Sequence, residues 1–219
     1  LAVGRLPFTT EAELQAYEER IDQLETVADP GDWRARMTLF AGDPGFQNLG
    51  GFVRSALEQV WTAVIDQHLD LSFDVRLTYA NPASLATWPA PQFGEKLVEE
   101  FDRGALIVNY VGHGWKDALD RLSWRGERYP AFTADEAQRV DTGQRPGLAA
   151  FFTCYTGAWE YDRPSLAERL LSNPAGPSGI IASSRVSNEV NLLLEEAFLQ
   201  ATTQQQVPTM GEILLDTKR

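Results

Sequence analysis

Two short apolar runs constrain this chain more than anything else in it. Residues 105–111 (Ala-Leu-Ile-Val-Asn-Tyr-Val) stop at Gly112-His113-Gly114, and residues 147–153 (Gly-Leu-Ala-Ala-Phe-Phe-Thr) stop at Cys154, the only cysteine of the protein. Runs this short and this continuously apolar are the pattern of strands buried on both faces, as in a parallel sheet. Each delivers a reactive side chain at its carboxyl end, which is where open α/β sheets build their sites.

The rest of the chain supplies the partners such strands need. Strand patterns recur over residues 36–40, 73–79 and 179–184, and helical spacing is read over 11–24, 52–68, 96–101, 133–136 and 165–171, with two more helices closing the chain. Strands alternating with helices imply a mostly parallel, doubly wound sheet with right-handed crossovers. The loops after the strands then collect on one edge, so Asp43, His113, Cys154 and Arg185 are expected to cluster. Residues 1–5 read as the tail of a strand. The stretch from His113 to Pro130 has no clear period and reads as a long loop.

Composition narrows the function classes. A net charge of −12 at neutral pH disfavours nucleic-acid and anionic-membrane partners, because phosphate surfaces require Lys and Arg. No apolar run approaches transmembrane length. Neither a phosphate-binding glycine motif nor a zinc ligand spacing is present, so no cofactor and no metal are expected. Asp70, Asp74 and Asp141 read as solvated surface rather than a calcium site. His68 follows a helical stretch and carries no expected role.

A His and a Cys on neighbouring strand ends suit acyl transfer. Cys is the most nucleophilic side chain near neutral pH once a neighbour helps form the thiolate, and imidazole titrates where it can protonate a leaving amine. Glycines on both sides of His113 let a substrate backbone approach, and the Gly114 and Cys154 N–H groups are candidate oxyanion donors. Asp43 is a candidate for orienting the imidazole. Taken alone, Cys154 also fits a small buried hydrophobe, and His113 a solvated histidine in a glycine turn.

Tyr110-Val111-Gly112-His113-Gly114 followed by Thr153-Cys154-Tyr155-Thr156-Gly157-Ala158-Trp159 resembles the gingipain family of cysteine peptidases, family C25. The likeness extends to Val3-Gly4-Arg5-Leu6-Pro7, Trp33-Arg34-Ala35-Arg36, Arg145-Pro146, Ser165-Leu166-Ala167-Glu168 and Gly211-Glu212. It implies a caspase-like three-layer α/β/α sandwich that hydrolyses peptide bonds in peptide or protein substrates. By matching position, the resemblance makes Cys154 the nucleophile, His113 the catalytic histidine and Gly114 an oxyanion donor. Asp43 falls where the family can carry an acid near the histidine. The resemblance also implies a secreted or envelope-associated bacterial enzyme. Residues 1–30 would lead in from a missing N-terminal subdomain and contact it, and 31–219 would form the catalytic domain.

Residues 45–52 depart from the family, since they hold no carboxylate to pair with a basic residue before the scissile bond. An unpaired buried cation is strongly unfavourable, so basic specificity is not carried over. Val111, Phe152, Trp159 and residues around Val186 are the candidate walls of an apolar pocket, with ordinary core packing an equal alternative. The resemblance leaves open a sortase-like transpeptidase and a non-catalytic caspase-like binding module. A nucleotide- or metal-dependent hydrolase lacks its phosphate loop and ligand set.

Overall fold

The computed structural model describes residues 3–26, 31–42, 62, 65–66, 72–82, 84–187, 190–203 and 209–218. Five parallel strands form the central sheet in the order β2-β1-β3-β6-β7: β1 (Arg36–Ala41), β2 (Asp74–Tyr79), β3 (Ile107–Val111), β6 (Leu148–Phe152) and β7 (Gly179–Ala182). Val111 pairs with Ala41 on one side and Phe152 on the other, so β1, β3 and β6 end level. Their following residues therefore emerge side by side. The strand order reverses between β1 and β3, which opens a crevice at the carboxyl ends.

Alternation along each strand divides the core between two faces. Phe40, Val108, Tyr110, Ala149 and Phe151 pack with Phe93, Leu97 and Phe101 of α2 (Phe93–Arg103) and with Leu166 and Leu170 of α4 (Leu166–Ser172). Met37, Leu39, Ile107, Val111, Ala150 and Phe152 pack on the opposite face with Phe198 and Leu199 of α5 (Val190–Thr203) and Ile213 of α6 (Met210–Thr217). The result is the three-layer α/β/α sandwich expected, and among the described residues its main sheet is parallel throughout. No helix among the described residues is long and apolar enough to cross a membrane.

Local sequence sets the helix boundaries. In α2 the apolar Phe93, Leu97, Val98 and Phe101 share one face, and Gly104, at φ 79°, ends the helix. Its one buried carboxylate, Glu100, is held by Lys96 at 2.8 Å and Arg103 at 3.1 Å. Both α3 (Ala134–Ala137) and α4 begin with reciprocal capping boxes, Thr133 with Glu136 and Ser165 with Glu168, which satisfy N–H groups that the first turn leaves open.

Helix α1 (Glu11–Thr26) docks through an unusual core residue. Arg20 is buried, and its guanidinium donates to the carbonyls of Asn173 at 2.6 Å and Leu171 at 2.9 Å. Those carbonyls are at the end of α4, where a cation is favoured by the helix dipole. The strand tail expected over residues 1–5 lies partly outside the described residues, and Val3, Gly4 and Arg5 form no strand. Side chains hold them instead, with Arg5 paired to Glu168 and stacked 5.4 Å over the Trp159 ring.

The stretch after His113 is a hairpin rather than a loop. Strands β4 (Arg121–Trp124) and β5 (Glu127–Pro130) pair antiparallel, and the two-residue turn Arg125-Gly126 has positive φ at both positions. That is the geometry whose twist matches paired strands. The helix expected over 52–68 lies almost entirely outside the described residues; Thr62, Ile65 and Asp66 are helical.

Candidate active site

The three parallel strands that end level deliver Gly42, His113 and Cys154 to one sheet edge. His113 and Cys154 line a single cleft of about 420 Å³, together with Gly114, Trp115, Lys116, Tyr155 and Tyr161. The two reactive ends are thus brought together.

Backbone packing explains why glycine flanks the histidine. A β-carbon on Gly114 would lie 2.7 Å from Cβ and Oγ1 of Thr153 and 2.9 Å from the carbonyl oxygen of Cys154. The His-Gly turn is therefore in backbone contact with the turn that carries the thiol. Gly112, at φ 154°, occupies a region that L side chains rarely adopt, and its Cα side faces Gly42 and the Tyr110 hydroxyl. The next residues are stiffened by pairing: Trp115 N–H donates to the Ala118 carbonyl at 2.8 Å, and Ala134 N–H to that of Asp117 at 3.0 Å.

The cysteine turn is equally constrained. Thr153 and Thr156, both fully buried, share a hydroxyl–hydroxyl hydrogen bond of 2.7 Å. Tyr155 sits at φ 55°, and its N–H donates to the Arg185 carbonyl at 3.1 Å. Gly157 N–H donates to Ser183 at 2.9 Å, so the loop after β7 braces the loop after β6. The Arg185 side chain adds an ion pair with Glu160. Neither Gly114 nor Cys154 donates its backbone N–H to another backbone group among the described residues. Two donors are thereby left at the cleft.

Ser187 was missed in the sequence. The Cys154 thiol donates to its carbonyl at 3.2 Å, and the Ser187 N–H approaches the sulfur at 3.4 Å. The Ser187 hydroxyl donates to the Thr153 carbonyl at 3.0 Å. The available signal was topological: Ser187 follows β7, the strand beside β6.

The remaining candidates divide. Val111 and Phe152 are 5% exposed and belong to the core, Phe152 with its ring 5.6 Å from that of Phe198; neither lines the cleft at Cys154. Central strands are covered on both faces, so only residues beyond their ends reach solvent. Phe152 instead borders a separate cavity of about 450 Å³ with Trp159 and β7. Trp159 is 56% exposed and Val186 61%. Asp43, His68, Asp70 and residues 45–52 lie outside the described residues. Asp74 is paired with Arg36 and Arg76, and the Asp141 carboxylate accepts from Gly143 N–H at 2.9 Å. Among the described residues no group of three His, Cys, Asp or Glu side chains could hold a metal ion.

Solved structures similar to the chain include that of the Arg-specific cysteine proteinase gingipain R (RgpB), with a TM-score of 0.70 and 17% identity over 99% of this chain and 48% of that one. The complex of Porphyromonas gingivalis RgpB pro- and mature domains matches with a TM-score of 0.69 and 18% identity, covering 99% of this chain and 50% of that one. A structure described only as a protease matches with a TM-score of 0.71 and 16% identity over 96% and 46% of the two chains. At these identities the likeness establishes a common fold, and the chain spans about half the length of the structures it matches. No curated protein is significantly similar in sequence. The sequence model of peptidase family C25 matches residues 1–219, the whole chain, and the protein therefore belongs to that family.

Proposed function

We propose that the protein is a cysteine endopeptidase in which Cys154 and His113 form the catalytic dyad. The observation that carries this reading is the shared cleft, with the Gly114 backbone packed against the Cys154 carbonyl so that both turns face one reacting centre. His113 takes the thiol proton, and the Cys154 sulfur attacks the scissile carbonyl. The oxyanion that develops is met by the Gly114 and Cys154 N–H groups. The imidazolium returns its proton to the leaving amine, which departs and leaves a thioester on Cys154. Water, deprotonated by His113, then releases the acid and the thiol. Ser187 positions the thiol before its proton leaves, and Asp43 is the residue assigned to orient the imidazole.

Exposed apolar side chains support a peptide ligand. Trp115, Trp159, Tyr161 and Val186 are each at least half exposed, and all lie in the loops that leave β3, β6 and β7. Of these, Trp115 and Tyr161 line the cleft itself, and exposed aromatic groups at a cleft mark a binding surface. We extend the reading to an exported, bacterial enzyme, the setting that the family resemblance implies.

Labelling of Cys154 by peptidyl electrophiles, compared with iodoacetamide, tests the proposal. Native protein should react with the peptidyl reagent far faster than with iodoacetamide, and Cys154→Ala should abolish cleavage of a diverse peptide library. Equal, slow labelling of native and unfolded protein would refute it.

A further inference from the structure

Beyond His113 the surface changes character. The cleft at Cys154 adjoins a cavity of about 510 Å³ that His113 lines with Trp115, Asp117, Asp120, Arg121 and Arg128, two carboxylates against two arginines. That cavity shares Arg121 and Arg128 with a further one of about 560 Å³, which Lys116, Arg163 and Arg169 also line. Five cations thus face one cavity against two carboxylates, Asp117 and Asp135, in a chain with 31 acidic and 19 basic residues. Cations elsewhere are mostly spoken for: Arg5, Arg36, Arg76, Lys96, Arg103, Arg139 and Arg185 all sit in ion pairs. None of the five here makes an ion pair among the described residues. Lys116 lies 4.6 Å over the Tyr161 ring, which leaves its charge uncancelled. The Arg169 Nε is buried without a hydrogen-bond partner.

The hairpin makes this arrangement unfavourable for the fold alone. Arg121 pairs with Pro130 and Ser123 with Arg128, so Arg121 and Arg128 are diagonal neighbours on one face of β4–β5. Like charges so placed repel. The Asp120 carboxylate, buried beside them, accepts the Arg121 N–H at 2.6 Å through one oxygen. An unpaired, concave cluster of cations is a site for an anion.

Its place along the substrate follows from the proposed mechanism, on which this inference rests. The acyl half stays on Cys154, whereas the amine half departs from the side of the imidazole that protonates it. The cavity that His113 lines and the cation-rich one that shares Arg121 and Arg128 with it do not include Cys154. We infer that this region binds acidic side chains on the leaving side of the substrate, with Arg121 and Arg128 as the determinants nearest the reacting centre. The favoured substrate class is therefore a peptide with Asp or Glu in the residues that follow the scissile bond.

Binding to the intact chain carrying Cys154→Ala tests this without turnover. The probes are fluorescein-labelled, amidated peptides identical except for Glu or Gln in their C-terminal halves, and a Gln peptide with a free C-terminal carboxylate distinguishes terminal from side-chain recognition. The Glu peptide should bind about tenfold more tightly than its amidated Gln twin, the sum of two or three partly exposed ion pairs. Arg121→Gln/Arg128→Gln should abolish the difference, as should raised salt, without lowering Tm, because both side chains are exposed and mutually repulsive. Equal affinity for the two amidated peptides, no binding of either, or a preference for the free carboxylate alone overturns the inference. Failure of the wild type to cut any peptide while the Glu preference persists would instead count against the peptidase reading.

Discussion

Placing a methyl group on Gly114 separates two roles that one residue combines. In Gly114→Ala the new carbon would meet Thr153 Cβ and Oγ1 at 2.7 Å and the Cys154 carbonyl oxygen at 2.9 Å. Neither neighbour yields easily. The Thr153 hydroxyl is fully buried and bonded to Thr156 at 2.7 Å, and the carbonyl is backbone. The His turn and the Cys turn must therefore part by several tenths of an ångström. Overpacking of this kind costs about 1–3 kcal/mol, which lowers Tm by roughly 2–12 °C in a chain of this length. The Gly114 N–H moves with the turn, and misplacing one oxyanion donor lowers kcat about 10²–10³-fold. Calorimetry and steady-state peptide cleavage read the two effects separately. Iodoacetamide alkylation of Cys154 needs no oxyanion donor and should change only a few-fold. A variant that loses stability as expected but retains its kcat would show that the donor is not used. One that keeps its wild-type Tm would refute the packing contact itself.

Two further predictions concern the frame around the site. Arg20→Ala removes two charge-assisted hydrogen bonds to buried carbonyls at the end of α4, and should cost about 3 kcal/mol, seen as a matching fall in the urea midpoint at unchanged slope. Burial pushes the Glu168 carboxyl upward, but the Arg5 guanidinium and the Ser165 N–H and hydroxyl outweigh it, so it titrates below the ordinary carboxylate range. A depressed carboxylate stabilises above its unfolded value and loses that contribution as pH falls through its folded one. Arg5→Gln should therefore be less stable than wild type near neutral pH, by less than about 1 kcal/mol since Arg5 is half exposed, and the gap should close on acidification. A gap that is constant across the carboxylate range in thermal melts would exclude Glu168 as its source.

Strand identity was legible because apolar continuity and turn residues are local signals. Residues 105–111 and 147–153 contain β3 and β6, and the Thr133 and Ser165 capping boxes could be read from residue type and spacing. The β4–β5 hairpin was not legible, since Ser123-Trp124-Arg125-Gly126-Glu127-Arg128 has no apolar alternation and its turn lacks the Asn-Gly or Asp-Gly signal. Val111 and Phe152, read as either pocket walls or core, are buried at their strand ends, and Phe152 borders the cavity it shares with Trp159. Period-two alternation on strands covered on both faces sets both side chains in one core layer.

Sequence alone determined that buried parallel strands end at a histidine between glycines and at a lone cysteine, since residue type and spacing suffice for that. Only the tertiary structure decided that β3 and β6 are neighbours ending level, that Ser187 meets the sulfur from β7, and that Arg121 and Arg128 share one face beyond His113. These are contacts between segments far apart in the chain. Strand order and register set them, and no local pattern encodes either.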